Sequence, residues 1–509
     1  MKLSYLLKDI TVPWERRVST ATDPWVDPEI TSIHSRAQDV RPNGLFIAVK
    51  GLAADGHDFI ETAFANGASA VISEKEGSPD KKVIRVKNTR KAMASIASRF
   101  YGNPSQKLFL TGITGTNGKT TVTWLTESIF KAAGFKTGVI GTINVRYNGC
   151  VHDTPVTTPD SPDLQRILAD MAACDVTHVI MEVSSHAVDL NRIDHCSFDT
   201  GVFTNLSQDH LDYHHTMKDY WKCKQKFFTK TLQPGKSGKP GTAVINTDDL
   251  KGRELAGRVS GTPVKTGLGT DTHISCKGIT DDISGIAATL ILGDRTIPFT
   301  SRLTGRFNIE NILSAAGAAY AAGINPETVK RGIEGCTAIP GRLERIDNLA
   351  DRFVFVDYAH TPDALVSILE TLENRASERL ITVFGCGGDR DPSKRPLMGK
   401  AAAEHSDIII VTSDNPRTED PAGIIDDILT GIDNSRTRED VIIEPDREKA
   451  LKLAVKISEK NDTILAAGKG HETYQITLDG KIDFDDRDIL RQALETIAEN
   501  AGKVADGAH

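Results

Sequence analysis

The stretch GTNGKTT, which begins at Gly115, lies between an apolar, strand-like run and a helix-like run. Gly115 and Gly118 allow backbone N–H groups to face an anion at the amino end of that helix. Lys119 is placed to reach the terminal phosphates of a nucleotide, and Thr120 to bind Mg²⁺. The general phosphate-loop pattern has another glycine where this chain has Ile113. The stretch therefore predicts an ATP site on a variant phosphate loop, rather than a glycine turn beside a solvated lysine.

A nucleotide site needs an acid for magnesium, and the sequence offers two candidate segments. Glu182 ends the buried strand THVIME, as a magnesium acid should, but a strand-end acid is also a common salt-bridge partner. The segment NLSQDHLDYH brings together Asp209, His210, Asp212 and His214. Histidine is an unusual ligand for Mg²⁺, which raises a zinc site as an alternative, although no cysteine or second spaced histidine pair completes one.

Two other polar features have a structural as well as a functional interpretation. The segment MKDYWKCKQKFF carries Lys222, Lys224 and Lys226, a pattern that usually marks a solvated basic helix face. Asn308 stands near the start of a helix-like stretch, where it is also a suitable N-cap.

The last third of the chain has the pattern of a parallel sheet covered on both faces. Continuous apolar strands, FVFVDY, RLITVFG, DIIIVTS and DTILAAG, alternate with helix-like segments. In such sheets, ligands bind at the carboxyl ends of the strands. Four polar or glycine-rich segments follow these strands and should converge on one crevice: DYAH at 357–360, GCGGDRD at 385–391, SDNPR at 413–417 and GKGHE at 468–472.

The charges in these four segments predict a pocket for an amino acid with an extra carboxylate. Arg390 and Arg417 each carry a planar guanidinium group that can bind a carboxylate through two parallel hydrogen bonds. Asp414 and Glu472 are acids suited to an ammonium. Pro416 excludes a regular strand or helix interior and predicts a rigid turn that presents Arg417. The alternative, loop arginines paired with local acids, is common for any single residue but less so for four aligned loops.

Composition narrows the class of protein. The 509 residues imply more than one domain. Contents of 39% hydrophobic and 26% charged residues are ordinary for a globular protein. A net charge of −8 argues against a nucleic-acid partner, and no apolar run is long enough to span a membrane. Seven scattered cysteines without CxxC spacing indicate reduced thiols and a cytoplasmic location.

These patterns predict an α/β protein of three domains. The expected divisions are 1–107, 108–342 and 343–509. The central domain should hold the phosphate loop on a mostly parallel sheet, and the last should be a doubly wound, Rossmann-like domain that binds the amino acid.

Six motifs taken together resemble the Mur ligase family: GTNGKTT, EVSSH, DHLDYH, GCGGDRD, DNPR and AGKGHE. The resemblance extends from about Ile33 to Asp488. It implies an ATP-dependent, ADP-forming amide ligase of cytoplasmic peptidoglycan precursor synthesis. The expected reaction adds meso-2,6-diaminopimelate to UDP-N-acetylmuramoyl-L-alanyl-D-glutamate through an acyl phosphate. Mg²⁺ is the expected metal, and a monomer the expected state.

The resemblance also implies roles for residues of this chain. Lys119, Lys224 and His210 are the implied catalytic residues. The implied ATP contacts are Gly115, Thr116, Asn117, Gly118, Lys119, Thr120, Thr121, Asn308, Arg342 and Asp357. The implied metal ligands are Thr120, Glu182, His210 and Lys224, the last as a carbamate because it follows Tyr220 by four residues. The UDP-muramyl dipeptide is expected at Ser35, Thr157, Thr158, Ser184 and Arg192. Diaminopimelate is expected at Arg390, Asp414, Asn415, Pro416, Arg417, Gly468 and Glu472.

Other functions remain open at this point. A Mur-like ligase that adds L-lysine, or a folylpolyglutamate-type synthetase, shares most of these motifs. A phosphate-loop switch or motor that couples hydrolysis to a macromolecule belongs to a different class, and the acidic net charge argues against it. A binding module without catalysis would be expected to lack residues such as Lys119.

Overall fold

The computed structural model describes residues 1–10, 27–51, 54–76, 82–232, 240–432 and 440–506. The chain divides into two compact units. The first unit consists of Met1–Cys276, Leu290–Ile297 and Glu310–Gly332, and the second of Lys277–Thr289, Pro298–Ile309 and Ile333–His509. Among the described residues, no helix is both long and apolar enough to cross a membrane. All seven cysteines are free thiols.

The amino-terminal part of the first unit is a four-stranded parallel sheet. Its strands pair in chain order: β1 Ser32–His34, β2 Gly44–Ile47, β3 Ala68–Ser73 and β4 Val83–Arg85. Its helices are α1 Leu3–Leu6, α2 Ile60–Ala65 and α3 Thr89–Phe100. Leu45 and Ile47 belong to one buried core, and Phe46 between them belongs to a second core with Ala63 of α2. Because side chains alternate along a strand, the wholly apolar β2 is covered on both faces.

A second, eleven-stranded sheet carries the phosphate loop. Its strands are β5 Phe109–Thr114, β6 Thr137–Ile140, β7 Val145–Tyr147, β8 Cys150–His152, β9 His178–Glu182, β10 Thr200–Phe203, β11 Thr242–Asn246, β12 Val264–Thr266, β13 Ile274–Asp282, β14 Gly285–Leu292 and β15 Arg295–Ser301. They lie in the order β15-β14-β13-β12-β11-β10-β5-β9-β6-β7-β8. The strands from β12 to β6 are parallel, and β5 is central, between β9 and β10.

Helices follow the parallel strands of this sheet, as an α/β arrangement requires. They are α4 Lys119–Ala132, α5 Ser161–Ala173, α6 Ser185–Asp189, α7 Leu211–His214, α8 Met217–Lys226, α9 Leu250–Ala256, α10 Arg306–Ala321 and α11 Pro326–Gly335. A π-helical turn, Phe227–Thr231, continues α8. The chain therefore passes from β5 through the glycine loop directly into α4, as the sequence predicts.

The second unit contains a six-stranded sheet. Its strands are β16 Glu344–Ile346, β17 Phe353–Asp357, β18 Leu380–Phe384, β19 Ile408–Val411, β20 Val441–Ile443 and β21 Thr463–Ala467, in the order β16-β17-β21-β18-β19-β20. Only the short β16 is antiparallel to its neighbour. Helices α12 Pro362–Glu373, α13 Lys394–His405, α14 Pro421–Leu429, α15 Arg447–Ile457 and α16 Asp486–Asp506 accompany it, with a hairpin of β22 Tyr474–Thr477 and β23 Gly480–Asp483.

Two buried cores lie on opposite faces of this sheet. Phe355 of β17 belongs to one core with Leu369 of α12, whereas the adjacent Val354 and Val356 belong to the other with Ala454 of α15. The predicted α/β class, with a doubly wound sheet near the carboxyl terminus, is confirmed.

Candidate active site

The phosphate loop is held in shape by the segment that follows β10. A Cβ atom on Gly115 would lie 1.8 Å from Thr204 Oγ1, and the φ of Gly115 is +156°, so only glycine fits there. Thr204 Oγ1 donates to the carbonyl oxygen of Asn117 at 2.6 Å. The Asn117 N–H donates to Asn205 Oδ1 at 2.9 Å. The loop is therefore preformed by its neighbours, which suits a backbone anion site.

Two lysines meet at this loop. Lys119 Nζ donates to the carbonyl oxygens of Gly115 and Thr116 at 3.0 and 2.8 Å. Lys224 Nζ donates to the same Gly115 carbonyl at 2.6 Å. Their convergence brings two lysine side chains to the loop that the sequence assigns to phosphate. Thr116 is held as well, because its Oγ1 lies 3.1 Å from the Tyr220 hydroxyl.

Lys224 is not part of a solvated basic face, so that interpretation is wrong for this residue. Its side chain is buried, whereas Lys222 on the same helix is exposed and pairs with Asp219 at 2.8 Å. Burial, and then repulsion from Lys119, lower the pKa of the Lys224 ammonium well below its usual value. Because CO₂ adds only to a neutral amine, this environment provides the condition that carbamylation of Lys224 requires.

Glu182 is buried at the end of β9 and accepts hydrogen bonds from two threonines. Thr120 Oγ1 donates to Oε2 at 3.1 Å, and Thr142 donates to both oxygens, from N at 3.0 Å and from Oγ1 at 2.8 Å. Within the described chain, no lysine or arginine pairs with Glu182, so the salt-bridge interpretation is wrong. The oxygen pair of Thr120 and Glu182 suits Mg²⁺. Sequence reasoning missed Thr142, although it lies just past the carboxyl end of β6, the strand beside β9.

His210 precedes α7 in a left-handed backbone conformation, with φ of +53°. Its Nε2 lies 3.4 Å from Asp209 Oδ2, and its ring centroid lies 5.0 Å from that of His186. In the part of the chain that the structure describes, no three His, Cys, Asp or Glu side chains form a group that could hold a metal. His210 and Glu182 therefore do not make a protein-only metal cluster, and the role of His210 as a ligand stays a prediction.

Four of the residues assigned to the muramyl dipeptide lie together beside Glu182. Thr158 Oγ1 donates to the Glu182 carbonyl at 2.8 Å and accepts from the Ser184 N–H at 3.2 Å. Arg192 Nη1 donates to the Thr158 carbonyl at 2.8 Å. Thr157 Oγ1 lies 3.0 Å from Thr142 Oγ1.

Ser35, the fifth residue of that set, belongs to a different sheet. It follows β1, at the carboxyl end of the first strand of the four-stranded sheet. The structure therefore gathers four of the five residues and places the fifth on the amino-terminal sheet.

Asn308 is not a helix N-cap, so that interpretation is wrong. Helix α10 begins at Arg306, which places Asn308 inside the first turn. Its side-chain amide is buried and donates to the Thr304 carbonyl at 2.8 Å.

Arg342 and Asp357, also assigned to ATP, lie in the second unit, as Asn308 does. Asp357 is buried and accepts from the Leu343 N–H at 2.6 Å. Burial raises the pKa of its carboxyl to about 6, against the opposing attraction of Arg342. The Arg342 guanidinium lies 4.9 Å from the centre of the Tyr358 ring.

The four segments assigned to the amino acid follow four strands that are neighbours in the sheet. The order β17-β21-β18-β19 places their carboxyl ends side by side, and hydrogen bonds join the segments. The Gly388 N–H donates to the Asn415 carbonyl at 2.9 Å, and Arg417 Nη1 donates to the Gly388 carbonyl at 2.7 Å. The Gly468 N–H donates to the Asp357 carbonyl at 3.0 Å. The predicted crevice is therefore present.

This crevice has charged groups without protein counterions. Among the described residues, neither Arg390 nor Arg417 lies within ion-pair distance of an acid, so the local-salt-bridge alternative is wrong for both. Asp414 is buried, yet its Oδ2 has no hydrogen-bond partner. A Cβ on Gly468 would lie 2.5 Å from that oxygen, and the φ of Gly468 is +113°. A side chain at position 468 would therefore collide with this carboxylate oxygen, which is buried and has no hydrogen-bond partner among the described residues.

Asn415 and Glu472, in contrast, bond to each other and to Lys469. Asn415 Nδ2 donates to Glu472 Oε2 at 2.9 Å. Lys469 Nζ lies 3.2 Å from that same oxygen and donates to Asn415 Oδ1 at 3.3 Å. Pro416, which follows Asn415 in the sequence, is buried. Lys469 was not predicted as a site residue, although it stands within the quoted GKGHE segment.

Lys394 is a second cation that sequence reasoning missed. Its Nζ donates to the His360 carbonyl at 2.8 Å, and burial lowers its pKa. It therefore contacts the DYAH segment from α13. Its position shortly after GCGGDRD was the available signal.

Comparison with known proteins gives three family matches along the chain. The family described as the Mur ligase catalytic domain matches residues 29–101, the Mur ligase middle domain matches 113–319, and the glutamate ligase domain of Mur ligases matches 341–470. A ligase of Geobacter metallireducens is 44% identical over 485 residues, which are 92% of this chain and 95% of that protein. The chain belongs to the Mur ligase family. Its resemblance to that family, inferred from six motifs, is thereby confirmed.

The named relatives of this Mur ligase share one description. The Geobacter protein and one from Bacillus cereus, 41% identical over 92% of this chain and 95% of its own length, are both named UDP-N-acetylmuramoyl-L-alanyl-D-glutamate–2,6-diaminopimelate ligase. A solved structure of a ligase with that name has 31% identity and a TM-score of 0.68, covering 96% of this chain and 99% of its own. MurF from Thermotoga maritima, in complex with ADP, shares the fold at 18% identity, with a TM-score of 0.61 over 92% and 98% of the two chains.

Proposed function

We propose that this Mur ligase forms an amide bond between UDP-N-acetylmuramoyl-L-alanyl-D-glutamate and meso-2,6-diaminopimelate, with conversion of ATP to ADP and phosphate. The reaction is a step of peptidoglycan precursor synthesis in the cytoplasm, carried out by a monomer. Relatives at 40–44% identity have names that state this acceptor and this amino acid.

The observation that carries the choice of amino acid is the set of charged groups in the second unit that have no ion-pair partner among the described residues. Diaminopimelate differs from lysine by one carboxylate at the far end of the molecule. The Arg417 guanidinium, without an acidic partner in the described chain, is a fork that a carboxylate binds in bidentate fashion. Asp414 Oδ2, buried and without a hydrogen-bond partner, complements the ammonium next to that carboxylate. Lysine would leave Arg417 without its ligand.

The phosphate loop supplies activation of the acceptor. A carboxylate does not acylate an amine at neutral pH, so the D-glutamate carboxylate first attacks the γ-phosphorus of ATP and displaces ADP. The resulting acyl phosphate is attacked at its acyl carbon by the amine of diaminopimelate, and phosphate leaves. Lys119, held at the loop by two carbonyl oxygens, stabilises the negative charge that develops between carboxylate and phosphate.

Several residues of the first unit fit a role around Mg²⁺. Thr120 and Glu182 would hold one ion through oxygen atoms, and His210 with a carbamate of Lys224 would hold a second. When bound, the metal supplies charge neutralisation for the phosphates. In the described structure, Thr142 keeps the Glu182 carboxylate in one orientation through two hydrogen bonds.

A phosphate-release assay with purified chain, ATP, Mg²⁺ and UDP-muramyl dipeptide tests the proposal. We expect release with meso-diaminopimelate and at least about a hundredfold lower kcat/KM with L-lysine or L-glutamate. Preference for lysine, or for glutamate with a folate acceptor, would replace this function by that of another ligase. Phosphate release independent of any amino acid would instead favour a switch or motor.

A further inference from the structure

Arg447 is a buried arginine that no role assigned so far includes. It begins α15 and is 2% exposed, and its partner Asp486, the first residue of α16, is 0% exposed. The guanidinium contacts both carboxylate oxygens, from Nε at 2.8 Å and from Nη2 at 2.6 Å. This is a bidentate pair removed from solvent, which requires that the remaining donors also find partners.

The remaining donors of Arg447 reach the two strand ends that carry the amino-acid pocket. Nη2 donates to the Ala467 carbonyl at 3.0 Å, and Nη1 donates to the Ser413 carbonyl at 3.4 Å. Ala467 immediately precedes Gly468, and Ser413 immediately precedes Asp414. One planar group thus contacts the residue before each of two pocket loops.

The sheet itself does not join these two strand ends. Ala467 ends β21 and Ser413 follows β19, and β18 lies between those strands. No backbone ladder therefore connects β19 directly to β21. Arg447 crosses the width of the intervening strand and fixes the distance between the two carbonyl oxygens.

Lys469 is a second cation that connects these two loops. Its side chain is 0% exposed, and its Nζ bridges Asn415 of the first loop and Glu472 of the second. The two bridging cations thus join the same pair of loops, one through backbone carbonyls and one through side chains. Attraction from Asp414 and Glu472 also acts on the Arg447 guanidinium.

We propose that Arg447 and Lys469 are positioning residues that form a buried clamp between the 413–417 and 468–472 loops. The clamp sets the spacing between the two loops, each of which carries residues assigned to diaminopimelate, and it thereby determines affinity for this substrate. The inference rests on the proposed function. Its physical basis is that a binding site built from two loops requires their separation to be fixed to about half an ångström.

A double variant, Arg447→Met with Asp486→Leu, removes the Arg447 half of the clamp without leaving the partner of an ion pair as an unpaired buried charge. Replacement of both partners of a buried ion pair by apolar residues is frequently tolerated by the fold, whereas loss of one partner is not. The matched control is Arg379→Met with Asp462→Asn. Arg379 and Asp462 form an ion pair just before β18 and β21, at the amino ends of these strands, through Nε to Oδ1 at 3.4 Å and Nη2 to Oδ2 at 2.6 Å. Asp462 also accepts from the backbone N–H groups of Arg379 and Glu459, and asparagine retains one of these two acceptors.

Steady-state kinetics and circular dichroism of the full chain decide the outcome. In the Arg447/Asp486 variant we expect the KM for diaminopimelate to rise about tenfold or more, with the KM for ATP and for the UDP-muramyl dipeptide within about twofold of wild type. The diaminopimelate-to-lysine preference should fall by a similar factor. The Arg379/Asp462 variant should keep all of these values. A folded clamp variant with an unchanged KM for diaminopimelate overturns the proposal.

If the double variant does not fold, two further variants test whether Arg447 and Lys469 position the two loops. Arg447→Lys retains a cation opposite Asp486 but lacks the planar fork, and we expect about a fivefold rise in the diaminopimelate KM. Lys469→Met should give a rise of the same order. If both Arg447→Lys and Lys469→Met had the wild-type KM for diaminopimelate, the clamp proposal would be overturned. If wild type itself shows no dependence on diaminopimelate, the proposed function fails instead, so the two failures are distinguishable.

Discussion

The phosphate loop and the amino-acid pocket satisfy their charged groups in opposite ways. At the loop, Lys119 and Lys224 donate to backbone carbonyls of the loop itself. In the pocket, Arg417 and Asp414 Oδ2 have no ionic partner among the described residues, while the cations behind them, Arg447 and Lys469, are paired. We propose that the loop is an anion site made mainly of backbone groups, and that the pocket is a site made of side chains whose charges are complementary to one diamino diacid.

This difference predicts that damage to the loop lowers the rate with every amino acid, whereas damage to the pocket changes which amino acid is used. The predictions below test that distinction.

The largest expected effect is that of Lys119→Ala. Loss of the ammonium that stabilises developing charge should lower kcat/KM about 10³-fold or more, equally for every amino acid that wild type uses. Phosphate release measures it. Lys131→Ala, an exposed lysine on the same helix that pairs with Glu127, is the control and should retain wild-type activity. A change in amino-acid preference in the Lys119 variant would contradict the prediction that damage to the loop lowers the rate equally with every amino acid.

Arg417→Ala should alter selectivity more than turnover. Without the bidentate fork, kcat/KM for diaminopimelate should fall about a hundredfold, while that for lysine changes little. Arg417→Lys should recover only part of the loss because an ammonium lacks the fork. The measurement is the ratio of the two kcat/KM values in one assay. A ratio equal to that of wild type would remove Arg417 from the pocket.

The raised pKa of the Asp357 carboxyl predicts that the free energy of unfolding depends on pH. Its folded-state pKa of about 6 is above the unfolded value of 3.8, so the folded state binds more protons between these pH values. Stability should therefore fall as pH rises through this window, by about 3 kcal/mol once Asp357 is ionised. Asp357→Asn should lose this component. Urea-unfolding midpoints of wild type and variant at about pH 4.5, which lies between the two pKa values, and at about pH 7, which lies above both, measure the difference. If the urea midpoints of wild type and Asp357→Asn changed by the same amount between the two pH values, the raised pKa would be contradicted.

The smallest expected effect concerns Lys224. Because its lowered pKa favours the neutral amine, removal of CO₂ and bicarbonate should lower activity about tenfold, and added bicarbonate should restore it. Lys224→Ala should show a similar loss, about tenfold, and regain activity with a short carboxylic acid, whereas Lys222→Ala should behave as wild type. Insensitivity of wild type to CO₂ would argue against a carbamate.

The sequence was most informative where chemistry is local. The phosphate loop, from strand through glycines to helix, is contiguous, so its residue types and spacing predict both structure and ligand. The pocket was also predictable in outline, since parallel strands bring their carboxyl ends to one edge. The missed residues depend on neighbours far away in the sequence; they are Thr142, Lys394, Arg447 and Lys469.

Strand order explains most of what was missed. β21 is the last of the six strands of its sheet along the chain, yet it lies between β17 and β18, and no local pattern encodes that insertion. Arg447 opens an amphipathic helix and has the appearance of an ordinary first-turn residue until β19 and β21 are placed. Asn308 was also open to misassignment, because the helix starts at Arg306, three residues earlier than an N-cap at Asn308 would require.

The most direct test of the account is a crystal structure of this ligase with meso-diaminopimelate bound. The account predicts that the carboxylate farther from the reacting amine lies about 2.7–2.9 Å from the Arg417 guanidinium, with the neighbouring ammonium at Asp414 Oδ2. A ligand seated with that carboxylate elsewhere, or Arg417 turned to solvent in the complex, would contradict it.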